Sequence, residues 1–352
     1  MGFSIGIVGL PNVGKSTLFK ALTKQKVDIA PYPFTTINPN VGKVFVPDER
    51  LLNVAQIIKP EKTTLTTIEF IDIAGLVKGS HKGEGLGNQF LAQIRNCDAI
   101  VEIVRTFKND RVEHIEKEIN PKRDLEIIEL ELLMKDLEII EKNLQKLDKE
   151  TKSDEKEKIK KFNLLKEIKE NLSKGKRVSD IYLSDEDKKL VREFQFLTEK
   201  PIIYLFNIGE SDKSEIDEEI KSKVGSQYLT ANLKLEEEIS ELSENEIREL
   251  NLKSLLDRLI LICYNTLNLI TFFTITGGKE TRAWTIERGI KIAEAAGKVH
   301  SDFQEKFIKA EVISWQKFLE LKSWKKAKEL GQIQIVGRDY IVKDGDIIEF
   351  KI

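Results

Sequence analysis

The stretch "GIVGLPNVGKSTLF", Gly6 to Phe19, decides how the rest of the chain is read. An apolar, β-branched run leads into it and a helical pattern leads out from Lys15, so a turn here joins a strand to a helix. Inside that turn Gly9 and Gly14 frame four residues and are followed by Lys15 and Ser16. Glycine lets the backbone curl tightly enough to aim successive N–H groups at one set of oxygens. The helix behind them presents its positive end to the same anion. Lys15 adds a mobile charge for β- and γ-phosphates, and the Ser16 hydroxyl can join a magnesium shell. Asn12, Val13, Gly14, Lys15, Ser16 and Thr17 are therefore the expected phosphate-binding residues, and a nucleoside triphosphate the expected ligand.

A partner element follows in "IEFIDIAGL", where Asp72 ends a strand and Gly75 offers an N–H to a γ-phosphate. Between the two, "YPFTTINPNVGK" places Thr35 and Thr36 in a Pro-flanked segment, and Thr36 is the expected third magnesium ligand beside Ser16 and Asp72. The base is read further on, in "PIIYLFNIGESDK", Pro201 to Lys213. Guanine shows two donors along one edge, which a fixed aspartate accepts; adenine shows a lone pair at N1 that a carboxylate repels. Here the acid is Glu210, one methylene longer, and Ile208 stands where a base-stacking lysine would. A polar site can reject the wrong base by about 10⁴–10⁵, and this turn lacks the geometry for rejecting adenine. Asn207 is expected to brace the phosphate loop or the N7 side of the base, and the main chain of Ile208 to meet N1 and N6 of adenine.

The first hundred residues alternate short strands with glycine turns and helices, the rhythm of a mostly parallel α/β sheet covered on both faces. From Pro121 the texture changes. Leu133, Leu137, Ile140, Leu144 and Leu147, then Ile159, Phe162, Leu165, Ile168 and Leu172 after a charged break, form two amphipathic helices of an antiparallel hairpin. That pair is either a projecting arm or a plain solvated hairpin. Strand texture resumes at Pro201, with helices expected over Leu233–Leu250 and Leu252–Tyr264. A small α+β unit closes the chain, with three short strands expected in "QIQIVGRDYIVKDGDIIEFKI". A net charge of −2 gives no global case for nucleic acid. "SWQKFLELKSWKKAK" is the one local cation–aromatic patch of interest, read equally as an RNA contact or as a solvated helix over a core tryptophan. Cys97 and Cys263 read as reduced core residues of a cytoplasmic protein. No basic leader opens the chain and no apolar run reaches about 18 residues, so neither export nor a membrane partner is expected.

"GLPNVGKSTLF", "PFTTINPN", "DIAGLVKGSHKGEGLGNQFL" and "NIGE", followed by a "RAWTIERG" unit, resemble over nearly the whole chain the YchF family of Obg-like ATPases. The resemblance implies an Obg-type P-loop NTPase G domain over 1–120 and 199–265, an inserted helical hairpin over 121–198 and a TGS domain of β-grasp fold over 266–352. It implies magnesium-dependent binding and slow hydrolysis of ATP in preference to GTP. It also implies a monomer that associates with the ribosome or its RNA and links nucleotide state to translation or stress. Asn12 matches the place where potassium-dependent relatives hold K⁺. His114 matches a histidine given a catalytic part beside Lys15, although a plain histidine opening the helical region reads equally well. Leu76 replaces the glutamine that orients water in Ras-like enzymes, which makes slow turnover the expectation. Glu102 stands where relatives often carry histidine, and Arg105 or a neighbouring helix is its expected partner. The competing readings are a guanine-specific Obg-type assembly GTPase and an idle scaffold. Intact Lys15, Ser16 and Asp72 oppose the scaffold.

Overall fold

β1 (Ser4–Val8) is buried along its whole length, as a strand must be when helices cover both faces of a parallel sheet. The computed structural model describes residues 2–24, 40–73, 86–109, 114–150, 156–210, 216–276 and 278–352. Its first six-stranded sheet has the order β2 (Val41–Phe45), β4 (Thr67–Asp72), β1, β5 (Ala99–Arg105), β6 (Ile202–Asn207), β7 (Tyr228–Ala231). All neighbours run parallel except β2 against β4. The helices of this part are α1 (Lys15–Lys24), α3 (Leu86–Arg95), α7 (Glu218–Val224), α8 (Leu233–Ile239), α9 (Glu244–Glu249) and α10 (Leu256–Thr266). The C-terminal ends of β1, β4, β5 and β6 therefore open on one edge of the sheet, where ligands of such folds bind.

The long helix expected over Leu233–Leu250 is two. Ser243 and Glu246 form a reciprocal capping box that starts α9 afresh, an arrangement that satisfies two backbone donors at a new helix start. The next helix begins at Leu256 rather than Leu252, because the Ser254 hydroxyl and the Leu255 N–H donate to the buried Glu236 carboxylate.

Between β5 and β6 the chain leaves the sheet as α4 (Pro121–Glu150), α5 (Lys156–Ser173) and α6 (Asp185–Val191). Leu133 and Ile140 pack on Leu165, Ile168 and Leu172, with Leu137, Leu144 and Leu147 half-buried along the seam. Ile159 departs from the expected pattern, being 43% exposed, so the seam loosens toward the turn. At the base the buried Asp136 carboxylate accepts from Leu197 N (2.9 Å), Thr198 N (2.8 Å) and Thr198 Oγ1 (2.8 Å). Burial still pushes its pKa up to about 6, against those three bonds.

The second six-stranded sheet has the order β11 (Gln334–Val336), β10 (Lys309–Ser314), β12 (Asp346–Lys351), β8 (Leu269–Thr276), β9 (Glu280–Glu287), β3 (Lys62–Thr64). With it go α11 (Ile292–Val299), α12 (Ser301–Glu305), α13 (Trp315–Leu321) and α14 (Trp324–Glu329). Of the three strands expected at the C-terminus, the middle one is reduced to a single bridge between Lys291 and Ile341. The Asp346 carboxylate accepts from Lys343 N and Tyr340 Oη and folds that segment into a turn.

No periodic signal announces β3, which is three residues long. It pairs in parallel with β9, and the preceding α2 (Glu49–Ile58) sends Leu51 and Val54 into a cluster with Phe273, Phe318 and Ile347. Arg50 ties the junction, donating to Asp48 Oδ2 (2.7 Å) and Asp344 Oδ2 (2.8 Å) with its guanidinium 5.6 Å from the Phe273 ring centre. The chain between β2 and β4 of the first sheet is thus part of the second.

Candidate nucleotide site

The phosphate loop is built by close approaches that only glycine allows. A Cβ on Gly9 would stand 2.7 Å from the Ile103 carbonyl oxygen. Gly14, at φ +110°, would put a Cβ 2.7 Å from Asn207 Nδ2, and Asn12 adopts φ 62°, a left-handed conformation tolerated best by short polar side chains. Lys15 is only 8% exposed. Its Nζ donates to Leu10 O (2.8 Å) and Gly9 O (3.2 Å), so the ammonium lies against its own loop. Burial lowers its pKa to about 8, with the Asp72 carboxylate pulling it back up. Ser16 Oγ donates to Asp72 Oδ2 at 3.0 Å. The pair meets because β1 and β4 are neighbours in register, Ile7 opposite Asp72. A hydroxyl and a carboxylate side by side are hard oxygen donors, and they fit magnesium.

At the other end Asn207 closes β6 and is 5% exposed. Its Nδ2 donates to Val13 O (2.9 Å) while its Oδ1 accepts from Leu233 N (3.1 Å). The amide therefore braces the phosphate loop against α8. Ile208 changes the expected base contact: its N–H donates to Ala231 O (3.0 Å), extending the β6–β7 ladder by one rung. That bond takes the Ile208 N–H out of the expected contact, while Ile208, Gly209 and Glu210 still line the cavity at the phosphate loop. Glu210 is largely exposed, with Oε1 3.4 Å from Lys234 Nζ. The phosphate loop and this turn line one cavity of about 600 Å³.

That cavity has further walls that sequence reading missed: Phe107, Lys108 and Asn109 after β5, and Asn232, Lys234 and Glu237 at α8. The available signal was position, since "TFKND" leaves a core strand at the same sheet edge as the phosphate loop. Thr106 fastens this wall through its N–H (3.0 Å) and Oγ1 (2.9 Å), both donated to Asn207 O.

Other expected residues stand apart. His114 is buried and does not line the cavity. Its Nδ1 accepts from Glu116 N (3.2 Å), and its Nε2 lies 3.0 Å from Asp124 Oδ2. Glu102 does not pair with Arg105: three residues apart on β5, they point to opposite faces. In the C-terminal patch Trp315 and Trp324 pack on the apolar cluster of α13, Lys317 pairs with Glu320, and Lys328 pairs with the buried Glu311. Thr35, Thr36, Gly75, Leu76 and His81 lie outside the described residues. No helix among the described residues is long and apolar enough to cross a membrane.

Residues 4–162 match a family model described as "50S ribosome-binding GTPase", and residues 269–352 match the C-terminal model of YchF GTPases, described as a protein of unknown function. Over 360 residues the chain is 44% identical to "Ribosome-binding ATPase YchF" of Escherichia coli O157:H7, covering 99% of each. The chain belongs to the YchF family. The Bacillus subtilis strain 168 member is 41% identical over 365 residues, covering 100% of this chain and 99% of its own. Among solved structures, the Schizosaccharomyces pombe YchF GTPase superposes with a TM-score of 0.89 at 36% identity, covering 99% of this chain and 98% of that one. YchF relatives thus carry names that disagree on the base, ATPase in the bacteria and GTPase in the yeast, which puts the weight on the turn at Asn207–Glu210.

Proposed function

We propose that this YchF protein is a slow, magnesium-dependent ATPase that docks on the ribosome and works in the cytoplasm as a monomer. The observation that carries the choice of base is Glu210. It is exposed and drawn toward Lys234, so this acid is not held in place for the N1–H and 2-amino group of guanine. The Ile208 carbonyl accepts from adenine N6 and the Gly209 N–H donates to N1, while Asn207 keeps the phosphate loop in register with that edge.

The phosphates enter against the backbone N–H groups of Val13 to Thr17 and the N-terminus of α1. Lys15 exchanges the carbonyls of Gly9 and Leu10 for phosphate oxygens. That replaces neutral acceptors by charged ones, the stronger kind of hydrogen bond. Ser16, Asp72 and Thr36 hold magnesium, which supplies Lewis-acid charge at the phosphate oxygens. Asn12 holds K⁺ beside them. Leu76 cannot orient water, so turnover is below about 1 s⁻¹, the low end for enzymes. For His114 to act, it must first leave Asp124; its place in the structure favours tethering the start of α4.

Calorimetry with non-hydrolysable ATP and GTP analogues in magnesium tests the base, with ATP expected to bind at least tenfold more tightly. A thousandfold preference for GTP would overturn the reading in favour of the guanine-specific one. Phosphate release in K⁺ against Na⁺ tests Asn12, equal rates removing the cation, and co-sedimentation with ribosomes tests the partner.

A further inference from the structure

We infer that Arg105 is a positioning residue that fixes the aromatic wall of the nucleotide cavity, and so sets how much the base adds to binding. The inference rests on the cavity being a purine-nucleotide site. Arg105 ends β5 opposite Asn207 in the ladder and is 1% exposed, among the largest fully buried side chains described. A guanidinium so placed must have its donors satisfied within the protein. Nε donates to Phe107 O at 3.1 Å and Nη2 to Asn109 O at 3.3 Å. The guanidinium carbon also stands 4.7 Å from the centre of the Phe107 ring, within the range of a cation–π contact. One side chain therefore holds two carbonyls and the ring of a loop whose residues Phe107, Lys108 and Asn109 line the cavity.

The phosphate loop is held by a different side chain. Its brace is the Asn207 amide on Val13. Arg105 meets the Phe107 wall directly, whereas it relates to the phosphate loop through Asn207, its neighbour in the ladder. A flat base stacked on a fixed aromatic ring gains about tenfold to hundredfold in affinity. That gain is lost when the ring is free to turn, because its ordering must then be supplied on binding.

The test compares Arg105→Met and Arg105→Lys with the unaltered full chain, using calorimetry in magnesium with a non-hydrolysable ATP analogue and with inorganic tripolyphosphate. Arg105→Met should weaken the nucleotide about tenfold and tripolyphosphate less than twofold, and raise KM for ATP at constant kcat. Arg105→Lys, which keeps the cation, should recover part of the loss. Phe107→Leu should give the same base-selective loss with the buried arginine itself retained, and the double variant should add nothing beyond either change, as expected of residues acting as a unit. The inference is overturned if both ligands weaken together in Arg105→Lys, or if neither weakens, or if Phe107→Leu and Arg105→Met are additive. Wild-type protein binding tripolyphosphate as tightly as the nucleotide would instead sink the purine-site reading beneath it.

Discussion

Replacing Glu102 by Gln should make the protein more stable, and by an amount that grows with pH. Glu102 sits in the middle of β5, 2% exposed, with Oε1 lacking any hydrogen-bond partner. It faces a cavity of about 10 Å³ bounded by Leu125, Glu129 and Leu132 of α4, by Arg177, and by Tyr204 and Lys223, where the hairpin meets the sheet. Burial, reinforced by Glu129, pushes its pKa from 4.5 up to about 8, while Arg177 and Lys223 act in the other direction. Between those two values the folded protein keeps a proton that the unfolded chain has released. Stability therefore falls as pH rises through this window, by about 1.4 kcal/mol per unit, and levels off above the folded pKa. The accumulated cost is about 3 kcal/mol by pH 7. Gln has nearly the same shape and no proton to lose. The difference between variant and wild type should widen by about 4 kcal/mol from pH 5 to pH 8, or about 5 °C in melting temperature for a chain of this size. Parallel thermal melts followed by circular dichroism from pH 5 to pH 9 read it directly. A difference that stays constant across that range would refute the reasoning, because it would mean Glu102 keeps the same charge folded and unfolded.

Four further outcomes follow from the site. Gly14→Ala should abolish nucleotide binding in a fluorescence titration, since the added Cβ meets Asn207 Nδ2 at 2.7 Å and the backbone stands at φ +110°. The affinity for ATP should hold steady below pH 8 and fall by up to about tenfold per unit above it, because the Lys15 pKa of about 8 makes the free site neutral there. Over the same alkaline range, up to the unfolded value of 10.5, the free protein binds fewer protons than the unfolded chain and should gain stability as pH rises. Ile208→Lys combined with Glu210→Asp should shift the ATP-to-GTP ratio of affinities at least tenfold toward GTP in a competition assay, by restoring a short acid for the guanine edge.

The phosphate loop, the strand before it and the helix after it were legible in Gly6–Phe19, because phosphate chemistry constrains consecutive residues. The hairpin was legible in its heptad-like spacing. Spacing of that kind carries no information about which strands become neighbours. The contact of Ser16 with Asp72 and the brace from Asn207 to Val13, 194 residues apart, depend on the order of parallel strands, which crossovers decide. The same order brings the loop after β5 against the site and creates the Phe107 wall. It also commits the Ile208 N–H to Ala231, which takes that donor out of the contact expected for it. β3, at three residues, is too short for any periodic signal. Its place in the second sheet goes with the packing of α2 against the C-terminal cluster, where Leu51, Val54 and Leu65 find their burial.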